Sequence, residues 1–281
     1  MTPEIPKDID VFYSVSAGPV QGNGVARYYS EIVIHGGFEA IDFFWNRAGA
    51  DRAGVPVGWY SMPLNQDGAS GIREALAKLS DLSDRGSEQG HVSQPRFRLV
   101  TQSVQPGLDL SFAQSDALVM SATEELRDLL NAQLFHLLRR PLAALKAELS
   151  RSGDRFFLSL RNDGTEPACF ADPRAGQQDG SDRAAFFRTA KRHAPVPGMG
   201  SPPLRWSQLD LDGRDAAEPA TSLEIPGGES VSFSSKPWHP EPSDAGYIAQ
   251  GVFVDYLGAE KEGCFSFRGG VFSNNLLLPS G

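Results

Sequence analysis

Short runs of the first half of the chain alternate apolar and polar residues, the two-residue period of strands that bury one face. Between positions 41 and 45, Ile41, Phe43 and Trp45 share one face, while Asp42 and Phe44 lie on the other. The turn that His35 opens before Gly-Gly joins this run to the preceding one as a hairpin. The same pattern predicts strands at 11–15, 28–34, 41–45, 57–62, 97–100, 108–112 and 117–120.

The period changes to that of a helix in two places. Ile72, Leu76 and Leu79 recur at i, i+4 and i+7, which predicts a helix over 72–82 with Ser70 as its N-cap. A leucine-rich face follows Ser121, which forms a capping box with the glutamate three residues later. We expect that second helix to be kinked, or restarted, by the proline at 141 and to continue to about residue 150.

The first half is therefore predicted to be an α+β domain over residues 1–150, an antiparallel sheet with two main helices. Segments 27–82 and 96–150 each follow the order β-β-β-α. Two such units indicate either a weak internal duplication or coincidence.

After residues 151–154 the helical period disappears, and short strands alternate with Gly- and Pro-rich turns. The predicted strands lie at 155–161, 204–209, 222–225, 230–234, 247–256, 264–268 and 271–278, with a helical turn at 183–191. Such spacing predicts an all-β sandwich domain over residues 151–281.

Three segments of this half, 157–167 with its Asn-Asp-Gly turn, 225–231 with its Pro-Gly-Gly-Glu turn, and 247–256, resemble immunoglobulin-like sandwich modules. The Cys…Trp…Cys spacing of antibody domains is missing. The resemblance implies an immunoglobulin-like fold and leaves function open.

Composition narrows the function classes. The 281 residues include 29 Gly and 20 Pro, and the net charge is −9, which argues against binding of nucleic acid. No apolar run approaches the length of a membrane span, and the first eight residues lack the apolar region of a secretory signal. We therefore expect a cytoplasmic protein with no membrane partner, or a periplasmic or extracellular one if a leader has been removed.

The two cysteines, Cys169 and Cys264, have no metal-knuckle or redox-motif spacing. In a cytoplasmic protein they are expected to be reduced core residues. In an exported protein a disulfide between them remains open.

Catalytic motifs are missing from the sequence. The five histidines, which include His35 and His136, are not spaced as zinc ligands. The sequence also contains no nucleophile elbow, P-loop or dinucleotide-binding fingerprint. We expect no catalytic residue, no cofactor and no metal. Asp8 and Asp10 are two residues apart and share one strand face, and Asp42 shares a face with an acid of the neighbouring strand such as Glu31. These pairs of carboxylates leave a hydrolase as an open alternative.

Two surface features suggest a binding role. A basic cluster includes Arg188, Lys191 and Arg192, and a Pro-stiffened loop over 236–242 presents an aromatic and an imidazole side chain. Tryptophan is common at interface hot spots, and a stiff loop lowers the ordering cost of binding. The candidate contact residues are Trp238, His239, Lys236, Arg188, Lys191 and Arg192.

The leading hypothesis is a non-enzymatic protein-binding module that captures a basic partner, as acidic bacterial toxin-immunity proteins do by charge steering. One alternative is a hydrolase with carboxylates in a cleft between the domains. A further alternative is a structural component of a surface or secretion assembly. The oligomeric state is left open.

Overall fold

The structure is a computed structural model. It describes residues 9–17, 28–47, 56–79, 96–102, 107–172, 187–191, 205–209, 211–212, 222–239, 248–255, 262–267 and 269–277. Two compact units divide the described chain. Unit 1 holds the residues up to 47 and from 58 to 142, and unit 2 holds residues 56–57 and those from 143 onward.

Unit 1 is built from six strands and three helices among its described residues. The strands are β1 (Ile9–Ala17), β2 (Tyr28–His35), β3 (Ala40–Arg47), β4 (Val57–Pro63), β5 (Arg96–Thr101) and β6 (Leu108–Ala113). The helices are α1 (Gln66–Ala77), α2 (Ala117–Ala122) and α3 (Glu124–Leu137). β4 begins one residue before the unit does.

The described helices and strands of unit 2 are all strands, and the first of them, β7, begins in unit 1. They are β7 (Pro141–Ser152), β8 (Arg155–Asn162), β9 (Ala168–Ala171), β10 (Phe187–Lys191), β11 (Arg205–Leu209), β12 (Ser222–Ile225), β13 (Ser230–Ser234), β14 (Ile248–Asp255), β15 (Phe265–Ser266) and β16 (Gly269–Leu277).

One antiparallel sheet of nine strands dominates the fold, in the order β13-β8-β7-β4-β3-β2-β1-β5-β6. A mixed three-stranded sheet, β12-β9-β15, has an antiparallel and a parallel pair, and β10-β11 and β14-β16 form two-stranded sheets. Short turns explain the hairpins β2-β3 and β7-β8. In the first of these turns Gly36 and Gly37 adopt positive φ angles of 68° and 74°, which cost glycine little.

The predicted fold class, an α+β domain followed by an immunoglobulin-like sandwich, is wrong. The chain is mainly β, and one antiparallel sheet of nine strands spans most of it: β8 and β13, assigned to the sandwich, extend the sheet of the N-terminal strands, while β9, β12 and β15 form a small mixed sheet. Most strand positions were predicted, but strand positions do not determine strand partners. The proposed domain boundary at residue 150 stays a prediction, and residues 153–154 form the turn of the β7-β8 hairpin.

One helix prediction and one strand prediction are also wrong. Residues 141–150 belong to strand β7, in which Leu145, Ala147 and Leu149 are buried and Lys146 and Glu148 are exposed. Leucines four apart satisfy both a helical stripe and a strand face, so the spacing did not separate the two structures. Residues 117–120, predicted as a strand, form most of α2, so the second β-β-β-α unit is absent.

The helix starts also differ from prediction. α1 begins at Gln66, where the Asn65 side chain accepts the Gly68 N–H at 2.7 Å, and Ser70 lies inside the helix. Asp116 caps α2 in the same way, while Ser121 is a helical residue. The predicted apolar stripe is confirmed as buried at Ile72 and Leu76 of α1 and at Leu79, which lies two residues beyond the end of the helix.

Unit 2 packs around an apolar cluster centred on β7 and β8, to which Phe156, Leu158 and Leu160 contribute fully buried side chains. These three residues alternate along β8, so one face of the strand predicted at 155–161 is buried. The longest described helix, α3, has 14 residues, and none of the described helices has the length and apolarity of a membrane span.

Candidate partner-binding surface

The loop after β13 is fixed to the β7-β8 hairpin by backbone hydrogen bonds. The Ser235 N–H donates to the Phe156 carbonyl at 2.8 Å, and the Phe156 N–H donates to Ser235 Oγ at 2.9 Å. Three residues later, the Trp238 N–H donates to the Asp154 carbonyl at 2.6 Å. The hairpin therefore holds this loop at both its start and its tryptophan.

The indole of Trp238 is half-buried against the core of unit 2. Its ring meets Phe156 edge to face, with the centroids 5.2 Å apart. The Arg151 guanidinium lies 5.5 Å from the Trp238 ring and 5.7 Å from that of Phe156, distances at which a cation is attracted to an aromatic face. The Arg151 Nε donates to the Gly153 carbonyl at 3.1 Å, which keeps the guanidinium over the rings.

We define the Trp238 surface as Arg151, Lys236, Pro237, Trp238 and His239. Pro237 and His239 are exposed, and the other three are half-buried. Among the ion pairs that the structure gives for the described chain, none involves Arg151. This surface therefore presents an apolar ring beside positively charged side chains.

Nearby charges have internal partners. Arg155 forms an ion pair with Asp212 and donates to the Ser235 carbonyl at 3.2 Å. The same Asp212 carboxylate accepts from Ser234 Oγ at 3.1 Å. These contacts fasten residues 211–212 to the end of β13, and they make Arg155 a structural residue.

The structure brings together three predicted contact residues, Lys236, Trp238 and His239. It adds Arg151, which sequence reasoning placed in a domain boundary. No sequence signal marks this arginine, because its position over Trp238 depends on the β7-β8 turn and on the pairing of β13 with β8.

The predicted basic cluster is described only in part. Arg188 and Lys191 lie in β10, paired with Gln208 and Arg205 of β11, so the helical turn predicted there is wrong for residues 187–191. Arg192 lies outside the described residues.

In unit 1, the acids proposed for a hydrolase have mainly structural partners. His35 Nε2 and Asp42 Oδ2 are 3.0 Å apart, with about a third of each side chain exposed (36% and 31%). Asp42 Oδ1 is buried without a hydrogen-bond partner among the described residues. Asp10 is buried and accepts the Phe38 N–H at 2.8 Å, and Asp8 lies outside the described residues.

A pocket of 420 Å³ lies beside the β2-β3 turn. Its lining residues are Gly37, Phe38, Glu39, Leu64, Gln66, Ala69 and Arg73. Phe38 has a φ of 69°, unusual for a bulky residue, and Arg73 covers its ring at 4.4 Å. Neither His35 nor Asp42 is among the lining residues, so this pocket does not gather the histidine and acids of unit 1 around one hollow.

Cys169 and Cys264 form a disulfide, with Cα atoms 5.8 Å apart. The preferred interpretation of the two cysteines as reduced thiols is therefore wrong, although Cys169 is fully buried, as a core residue would be. The two cysteines are 95 residues apart in the sequence, so the sequence alone does not show that they are close. The parallel pairing of β15 with β9 brings them together.

No protein-family model and no curated protein matches this chain. The functional proposals below accordingly depend on the geometry of the chain itself.

Proposed function

We propose that this protein is a non-enzymatic binding module that holds a protein partner at the Trp238 surface. The observation that supports the proposal is the fixed loop, in which Trp238 is hydrogen-bonded to Asp154, meets Phe156 edge to face and lies 5.5 Å from the Arg151 guanidinium. A side chain already held in one position loses little conformational entropy on binding. Tryptophan and arginine are also the residue types that most often dominate interface energies.

We propose that the partner carries a net positive charge over its whole surface and presents acidic groups to Arg151 and Lys236 at the contact itself. The net charge of −9 would accelerate encounter with a basic protein, as it does for inhibitors of the toxin-immunity kind. We also propose that the protein works in an oxidising compartment, the periplasm or the cell exterior, because disulfides rarely persist in a reducing cytoplasm.

The test is affinity capture from the source cells, followed by binding measurements with the purified partner. Trp238→Ala and His239→Ala should each weaken binding, the first at least about tenfold, because truncation of a hot-spot residue costs 2 kcal/mol or more. Phe135→Ala is the control, since Phe135 is an exposed aromatic residue (65%) of unit 1.

Circular dichroism and urea unfolding of Trp238→Ala show whether loss of packing on Phe156 alters the fold. His239 is exposed, so its variant tests the surface without that complication. The proposal fails if no stoichiometric partner is captured, or if both variants bind as the unmodified protein does.

The sign of the partner's charge is tested by association kinetics. With a basic partner, the association rate constant should fall steeply as salt is raised from 10 to 150 mM (about 30 to 8 Å of Debye length), whereas the dissociation rate should change little. An association rate constant that does not fall with salt would contradict a basic partner. It would not bear on the Trp238 surface, which the Trp238→Ala and His239→Ala variants test.

The His35–Asp42 pair favours a hydrolase as a second candidate function. A carboxylate that orients an imidazole is one part of an acid–base site. Under this candidate, screening of ester, glycoside and phosphate substrates finds turnover that Asp42→Asn lowers by at least about 10²-fold, the scale of general acid–base catalysis. Asp109→Asn is the control, because Asp109 pairs with Arg98 on another strand. No turnover, or equal turnover by both variants, excludes this site.

A further inference from the structure

Three metal-ligating side chains converge in the small mixed sheet of unit 2. Cys169 lies in β9, Glu224 lies directly opposite it in β12, and Cys264 immediately precedes β15. The two sulfur atoms and a carboxylate oxygen all lie within 4.8 Å of one another. Among the described residues no other group of three His, Cys, Asp or Glu side chains comes this close.

The disulfide and a metal ion would use the same sulfur atoms. While the sulfurs are bonded to each other, neither is a thiolate, and the set offers one carboxylate. A dithiol reductant would break the S–S bond: the protein would gain two electrons and two protons as two thiols, and the reductant would become a cyclic disulfide. Each thiol would then be able to lose its proton and bind a metal.

We propose that the reduced protein binds one Zn²⁺ through Cys169 Sγ, Cys264 Sγ and the Glu224 carboxylate. Thiolate and carboxylate ligands both suit zinc, and three protein ligands leave the fourth tetrahedral position to water. With Zn–S bonds of about 2.3 Å, a tetrahedral site requires sulfur atoms about 3.7 Å apart. Opening the disulfide would let side-chain rotation bring the two sulfur atoms to this separation, and a Glu224 oxygen lies within 4.8 Å of both.

Burial gives the site a closed side and an open side. Cys169 is fully buried, Cys264 is half-buried, and Glu224 is exposed. An ion would therefore enter past Glu224 and Cys264 and be covered by the core on the Cys169 side. Because zinc binding requires both thiolates, the oxidised protein would bind no zinc. In the oxidising compartment proposed above the disulfide would persist, and zinc would be bound only where a dithiol reductant opens it.

The experiment compares oxidised and dithiol-reduced full-length protein, without oxygen and with the reductant removed. Zinc is titrated in competition with a chromophoric chelator, and Co²⁺ is substituted to report thiolate coordination by its charge-transfer absorption. We expect one zinc ion per reduced chain and none per oxidised chain. Binding by Glu224→Gln should be at least about tenfold weaker, since an amide is a poorer zinc ligand than a carboxylate.

Glu229→Gln is the matched control, because Glu229 is an exposed acid of unit 2 that does not belong to the group of three. It should bind zinc as the unmodified chain does, and Cys169→Ser/Cys264→Ser should bind none. Far-UV circular dichroism before zinc addition reports whether the reduced sheets persist.

Three results would each overturn the proposal. These are a reduced chain that takes up no zinc, equal affinity of Glu224→Gln and Glu229→Gln, and loss of the strand signal on reduction, since the site requires β9 and β12 to be paired. The second result would mean that the thiols alone capture the ion. None of them bears on the Trp238 surface, so the two proposals fail separately.

Discussion

Asn162, at the end of β8, shows how one buried polar side chain joins three parts of unit 2. Its Nδ2 donates to the carbonyls of Glu166 and Ile225 at 2.7 and 3.0 Å. Its Oδ1 accepts the N–H groups of Ala144 and Gly164 at 3.1 and 3.0 Å. The amide is fully buried and uses both its donors and both its acceptor positions, so it replaces the hydrogen bonds that the irregular backbone after β8 lacks.

We predict that Asn162→Ala lowers the free energy of unfolding by about 3 kcal/mol, because it leaves several buried backbone groups without partners. Urea unfolding measured by circular dichroism gives this difference. Asn131→Ala, at an exposed position of α3, should change stability by less than about 0.5 kcal/mol. A similar loss in both variants would show that the Asn162 network is not what stabilises this turn.

The sequence could indicate that Asn162 precedes a turn, but it could not show the partners of the amide. The Asn-Asp-Gly run is a local signal, and the contact with Gly164 is local as well. The contact with Ile225 joins residues 63 positions apart, and it exists only because β12 pairs with β9. Long-range contacts of this kind are decided by the assembled sheet.

At the scale of single elements, the structure shows which of two residues, Asn65 or Ser70, is the N-cap of α1. Asn65 has an extended backbone, and its side chain accepts from Gly68. Ser70 lies one turn inside the helix and donates to Glu74 at 3.4 Å on the exposed surface. Both residue types are good N-caps, so residue type alone did not identify the start.

Asn65→Ala should destabilise the protein by about 1 kcal/mol, the usual cost of losing an N-cap. Ser70→Ala should be neutral or slightly stabilising, since alanine is the better residue in a helix interior. Thermal and urea unfolding of the two variants measure the difference. If Ser70→Ala were the more damaging change, the helix would begin where the sequence pattern placed it.

Most strand positions were predicted, and β7 shows why a strand can be mistaken for a helix. β1, β2, β3 and β8 are each eight or nine residues long and were found. In β7 the polar residues Lys146, Glu148 and Ser150 alternate correctly, but leucines at 142, 145 and 149 continue the spacing of α3. A proline at the first strand position is compatible with β structure, and it was a better guide than the leucine spacing.

At the scale of the whole molecule, the sheets combine pairings of consecutive strands with long-range pairings. β1 to β4 form successive antiparallel pairs, as do β5 with β6 and β7 with β8. Long-range pairings join β1 to β5 and β8 to β13 in the large sheet, and β9 to two later strands in the small mixed sheet, one of them in parallel. Periodicity carries information about the first kind of pairing and none about the second, which is why the sandwich prediction failed in the second half.

The candidate surface follows the same division. Its Trp238 loop was predicted from local composition, whereas Arg151 and the disulfide partners were not, because they meet only through long-range pairing. The same holds for Glu224, whose position opposite Cys169 is a matter of register.

The disulfide should contribute about 4 kcal/mol to stability, because it closes a loop with a sequence separation of 95 and restricts the unfolded chain. Cys169→Ser/Cys264→Ser should lower the urea midpoint accordingly, and reduction of the unmodified protein in a zinc-free buffer should do the same. The substitutions replace both sulfur atoms, whereas reduction breaks only the S–S bond. Agreement between the two results would therefore assign the loss of stability to the bond itself. A midpoint unaffected by either treatment would refute this contribution.

The same bond has a consequence for the intact polypeptide. Hydrolysis of one peptide bond anywhere between Cys169 and Cys264 would yield two fragments that remain covalently linked by the disulfide. A nicked sample would keep its full mass, plus one water, until a reducing gel released the pieces. Proteolytic damage within about a third of the molecule would therefore stay invisible under the non-reducing conditions in which an oxidised protein is normally purified.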